Sequence, residues 1–121
     1  MNMKDITIDE SEEFLDMTQV KDNGPYAYFK RYGKNDVLMR VHFNRKATVL
    51  FAGKERQYAV KVSRRYVVFL PTTLGRRLSI ARSGTGAISV QPLIGMVAEG
   101  MKFRVYPYKG GVAIDTEEVV G

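Results

Sequence analysis

From Tyr26 onward the chain alternates apolar and polar residues with the period of two that a half-buried strand requires. "YAYFKRY" closes on the turn sequence "GKND", and "VLMRVHF" then puts Val37, Met39, Val41 and Phe43 on one face and Leu38, Arg40 and His42 on the other. "KATVLFAG" and "RQYAVKV" read as two more strands around "GKER", where Gly53 permits a positive φ. "RRYVVFL" is a strand that Pro71 ends, because proline cannot donate to a ladder. "AISVQPL" returns to strand, and "KFRVYPYKGGVAID" is a closing hairpin around Gly110 and Gly111. Between them the period changes. In "TTLGRRLSIAR", residues 72–82, Leu74, Leu78 and Ala81 recur at three- and four-residue spacing behind a threonine N-cap, which predicts a helix despite the cost of about 1 kcal/mol at Gly75. The expected fold class is α+β, mainly antiparallel β: a meander or barrel-like sheet with one short packed helix at about 72–82.

Residues 1–20 stand apart. Ile8, Phe14, Leu15 and Met17 are spaced loosely as on a helix, with acids between them, so a short helix or a partly disordered arm is expected, and Asn23, Gly24 and Pro25 supply turn chemistry at a boundary. The division expected is an acidic N-terminal arm, 1–20, and a single basic β-rich domain, 21–121. A chain of 121 residues is long enough for one core. The start of the chain carries no secretory leader and no apolar run approaches the length of about 18 residues that a membrane helix needs, so a soluble, cytoplasmic protein is expected.

Charge sharpens this picture. Residues 1–20 hold six acids against Lys4, whereas residues 21–82 hold fifteen Lys or Arg against Asp22, Asp36 and Glu55. The formal net charge of +6 therefore belongs to the middle of the chain. Concentrated cationic charge attracts polyanions, because neutralised phosphates release condensed counterions.

Catalytic signatures are absent from the sequence. The single histidine, His42, sits in a strand pattern with no partner in view, and there is no cysteine. The glycine turns at 84–86 and 108–111 lack the lysine and hydroxyl of a phosphate loop. No enzyme, metal or cofactor is expected. Two features remain. "YAYFKRYGK" interleaves Tyr26, Tyr28, Phe29 and Tyr32 with Lys30, Arg31 and Lys34, the mixture that stacks bases and holds phosphates; the same aromatics would equally fill the core of an edge strand. The second is Arg64, Arg65, Arg76, Arg77 and Arg82, in a stretch with no acid between residues 56 and 98. Arginine suits phosphates and guanine edges because its planar fork donates two parallel bonds.

"VSRRYVVFLPTTLGRRLSI" resembles the strand, proline and short helix of the AbrB/MraZ-type swapped-hairpin transcription factors, with Pro71, Leu74, Leu78 and Ile80 in the family's places. "EGMKFRVYPYKGGVAI" is similar to that family's closing glycine-led hairpin. Gly75 and Ser79 stand where an arginine and a glycine are usual. The resemblance implies an interleaved homodimer that binds duplex DNA, with Arg64 and Arg65 as contacts and Arg76 and Arg77 near them.

The resulting expectation is a non-catalytic nucleic-acid-binding protein, a duplex-DNA regulator using Arg64, Arg65, Arg76, Arg77 and Arg82 with Arg45, Lys46, Lys54 and Arg56. The alternatives are a module docking on an acidic protein partner, and a single-strand binder stacking bases on Tyr26, Tyr28, Phe29 and Tyr32.

Overall fold

A computed structural model of the protein describes residues 6–13, 24–51, 57–92 and 99–120. The strands are β1 (Tyr26–Tyr32), β2 (Leu38–Phe43), β3 (Gln57–Val62), β4 (Tyr66–Pro71), β5 (Arg76–Arg77), β6 (Ser79–Ile80), β7 (Gly86–Val90), β8 (Phe103–Tyr108) and β9 (Gly111–Val119), with the helix α1 (Arg45–Thr48) after β2. They form one nine-stranded sheet in the order β5-β3-β4-β9-β8-β1-β2-β7-β6, and every pairing is antiparallel. The sheet curls into a nearly closed barrel.

Alternation in the sequence becomes inside and outside here. Ala27 and Phe29 on β1, Met39, Val41 and Phe43 on β2, Val67 and Phe69 on β4, Ile88 on β7 and Val105 on β8 are all buried. Phe43 meets Phe69 and Phe51 edge to face, at 5.3 and 5.0 Å between ring centroids, and Phe51 meets Tyr58 at 4.7 Å. Such pairs contribute about 0.5–1.5 kcal/mol each beyond their buried area. The final hairpin forms as expected. Its turn holds Lys109 at φ 45° and Gly110 at φ 82°, the two left-handed residues of the tight hairpin whose twist matches its strands.

Two expectations fail. Residues 72–82 form no helix: Arg76 and Arg77 pair with Tyr58 and Gln57 on β3, while Ser79 and Ile80 pair with Ala87 and Gly86 on β7. One short segment therefore supplies both edges of the sheet and clasps them together. Between the two pairings Leu78 enters the core at 2% exposure, whereas Leu74, its partner in the helical pattern, is 88% exposed. The physical reason is competition. An eleven-residue helix with an internal glycine is marginal by itself, while two open sheet edges present rows of unpaired backbone groups that this segment satisfies. Gly75 makes the approach possible, since a Cβ there would lie 2.5 Å from the Tyr58 carbonyl oxygen.

The described part of "KATVLFAG", residues 46–51, is likewise not a strand; Ala52 and Gly53 lie outside the described residues. The segment's start is α1, nucleated by Asn44, whose Oδ1 accepts from Ala47 N at 2.9 Å and from Tyr26 N at 3.0 Å. Asn44 Nδ2 donates to the Gly24 carbonyl at 2.9 Å, so one side chain caps the helix and ties it to β1. In the arm, residues 6–13 are exposed and hold an Asp9–Ser11 turn rather than a helix; Phe14, Leu15 and Met17 lie outside the described residues.

Candidate nucleic-acid interface

Because odd-numbered residues of β1 and β2 face the core, their even-numbered residues face out. The register sets Tyr28 opposite His42 and Lys30 opposite Arg40, and β7 continues the face with Ala87 opposite His42 and Ser89 opposite Arg40. Tyr28 and His42 stack with ring centroids 4.9 Å apart and planes 11° from parallel. The Arg40 guanidinium lies over the Tyr32 ring, 4.7 Å from its centroid, and Tyr32 Oη is 3.4 Å from Ser89 Oγ. At the far side Lys102 Nζ sits 4.9 Å from the Tyr26 centroid. Aromatic rings and cations alternate across β1 and β2, with Lys102 beside Tyr26 and Ser89 of β7 bonded to Tyr32.

These neighbours shift the titration of two of the groups. The Ser89 hydrogen bond, aided by the charges of Arg40 and Arg76, lowers the Tyr32 hydroxyl below its ordinary pKa, against burial, which raises it. Burial first, then Arg40 and Lys30, push His42 below its ordinary value, so at neutral pH its ring is uncharged. No acid of the described residues forms an ion pair with Lys30, Arg40, Arg45 or Arg82.

The opposite side of the barrel is neutralised. Arg65 donates from Nε and Nη2 to the two carboxylate oxygens of Asp115, at 3.0 and 2.8 Å, and lies 3.4 Å from Glu117. Asp115 is 3% exposed, and the Arg65 hydrogen bonds hold its carboxyl below the usual carboxylate range. Arg104 lies 4.0 Å from Glu118, whose carboxylate also accepts from Tyr106.

The arginines read together in the sequence are thus dispersed. Arg64 lies in the β3–β4 turn and Arg82 in the β6–β7 turn, and the register sets both turns at the same end of their strands, on different flanks of the sheet. Arg76 pairs opposite Tyr58, six strand positions before Arg64, a separation of about 20 Å. Arg45 and Lys46 fall on α1, at the same end as Arg82, and Arg45 runs against Gly84, where a Cβ would come within 3.0 Å of its Cγ. Arg77 is exposed on β5; Lys54 and Arg56 lie outside the described residues. Among the aromatic candidates, Tyr26, Tyr28 and Tyr32 are half-buried on the outer face, but Phe29 is 0% exposed and packs against Phe103 in the core, so it cannot stack on a base. Sequence reading named Lys30 beside these aromatics but missed Arg40, His42 and Lys102 as members of the face. Their signal was the hairpin register rather than any charge cluster.

Two concavities accompany these surfaces. One, about 540 Å³, lies at the barrel seam between Tyr58, Val60 and Val62 on β3 and Val90 on β7, with Arg76 at its rim. The other, about 200 Å³, lies beside the Tyr28–His42 stack. Among the described residues no group of His, Asp or Glu is arranged to hold a metal ion, and no helix is long and apolar enough to cross a membrane. Comparison with protein-family models, curated proteins and solved structures finds no match to this chain.

Proposed function

We propose that the protein binds nucleic acid through the outer face of β1, β2 and β7, and that it takes a single strand in preference to a duplex. The observation that carries this reading is the alternation of Tyr26, Tyr28 and Tyr32 with Lys30, Arg40 and Lys102 on one side of the barrel, free of acidic partners among the described residues. Aromatic rings stack on bases that a duplex would keep paired, and the cations track the phosphates. A duplex reader built on Arg64, Arg65, Arg76, Arg77 and Arg82 has less support. Arg65 is committed to Asp115, and Arg76 lies about 20 Å along the strands from Arg64.

The test is fluorescence anisotropy of labelled single-stranded and duplex oligonucleotides at two salt concentrations. Single-strand affinity should exceed duplex affinity and fall with salt, with a log–log slope of about −0.7 per phosphate neutralised. Lys30→Ala with Arg40→Ala should weaken binding and flatten that slope. Absence of salt-dependent binding, or tighter duplex binding, overturns the reading.

A further inference from the structure

The geometry points to the cleft beside the Tyr28–His42 stack as a receptor for one unpaired nucleobase, an inference that rests on the single-strand reading above and names what that face holds. The cleft, about 200 Å³, is lined by Tyr26, Tyr28, His42, Asn44, Thr85 and Gly86. That is below the roughly 300–1,000 Å³ of pockets for drug-sized ligands and suits a single ring system.

Three features define what it accepts. First, it offers an aromatic wall. Tyr26, Tyr28 and His42 all line it, and Tyr28 and His42 are already stacked on one another. A base entering the cleft meets these three rings. Second, His42 stacks without carrying charge: its burial and the neighbouring Lys30 and Arg40 keep it neutral. Neutral imidazole presents one donor and one acceptor nitrogen, and neither bonds a described residue. Third, the walls are held in place and the rim is cationic. Asn44 spends its amide on Gly24, Tyr26 and Ala47, which fixes the β1 side, while Ser83 and Thr85 share a 2.9 Å hydrogen bond across the turn. Around this wall stand Arg45, packed against Gly84, Arg82 in the same turn, and Lys102 over Tyr26. A flat heterocycle with a phosphate attached matches that distribution; an apolar ligand would leave the cations unused.

The experiment compares an oligothymidylate with an abasic deoxyribose-phosphate oligomer of equal length, so that charge is constant and only the bases differ. Stacking on an aromatic residue is lost about 5- to 150-fold on alanine substitution. Tyr28→Ala and His42→Ala should each weaken oligothymidylate binding within that range, leave the salt slope unchanged, and leave the weaker abasic binding untouched. Thr85→Phe, at an exposed position on the cleft wall, should have the same effect by filling the cleft, and thermal melts confirm that each variant is folded. If all three variants bind oligothymidylate like the parent while Lys30→Ala with Arg40→Ala weakens it, the base receptor is refuted and the cationic face stands. If the parent binds abasic and thymidylate oligomers equally, the receptor is refuted as well. If the parent binds neither, both proposals fall.

Discussion

The clasp at residues 76–80 makes a prediction that separates two structures for the same sequence. In a helix over 72–82, Leu74 and Leu78 would share one buried face, and truncating either would cost a similar amount. In the observed barrel, Leu78 is 2% exposed in the core and Leu74 is 88% exposed. Leu78→Ala removes three methyl or methylene-sized groups from a closed sheet seam and leaves a cavity, which costs about 2–5 kcal/mol. For a domain with a total stability of about 5–15 kcal/mol, that is a large fraction of the whole. At about 4 °C per kcal/mol for a chain of this size, the melting temperature should fall by about 8–20 °C. Leu74→Ala, at the surface, should stay within about 0.5 kcal/mol. The assay is urea unfolding followed by tyrosine fluorescence and circular dichroism, with midpoint and slope fitted for both variants. Equal losses at the two positions, or no loss at Leu78, would refute the clasp.

Further predictions test other parts of the same physics. Gly75→Ala places a Cβ 2.5 Å from the Tyr58 carbonyl and should destabilise the barrel by about 1–3 kcal/mol, read from the same urea curves. Lys109→Asn puts a residue tolerant of left-handed backbone at φ 45° and should raise stability by a few tenths of a kcal/mol, on the order of the local strain relieved. Asp115 has a folded pKa below its unfolded value, so its contribution is present above the unfolded carboxylate pKa and is lost as pH falls through the folded one. Acid titration of stability should show that loss in the parent and a flatter acid limb in Asp115→Asn. Arg65→Ala should lower stability, measured by thermal melting, without changing oligonucleotide affinity, because Arg65 is occupied by Asp115 and Glu117.

Much of the sheet was legible because period two survives wherever one face is buried: Met39, Val41 and Phe43 fell inside, with Arg40 out and His42 half-buried. Val37 was the exception, lying exposed just before β2 begins. The helix at 72–82 was misread because Leu74, Leu78 and Ala81 satisfied a local pattern, while the deciding term was non-local: hydrogen bonds to Gln57, Tyr58, Gly86 and Ala87, which no window of eleven residues contains. α1 was missed for the opposite reason. Its signal was a single capping residue, Asn44, ahead of a β-branched and aromatic stretch that outweighed it. The candidate site followed the same division. Tyr26, Tyr28 and Tyr32 were visible by type, but which cations share their face depends on register, and grouping arginines by proximity in sequence placed Arg65 among them although it turns to the acidic side.

Joining both sheet edges through one segment also localises the barrel's vulnerability. Arg76 and Arg77 are exposed, yet the peptide bond after Arg77 leads directly into buried Leu78. A tryptic protease can take that bond only when the clasp lets go, so the cleavage rate after Arg77 becomes a clock for opening of the seam. Once cut, the chain keeps one edge strand on each fragment. The same two strands could then be supplied by another molecule, which makes this segment the natural hinge for exchange between copies.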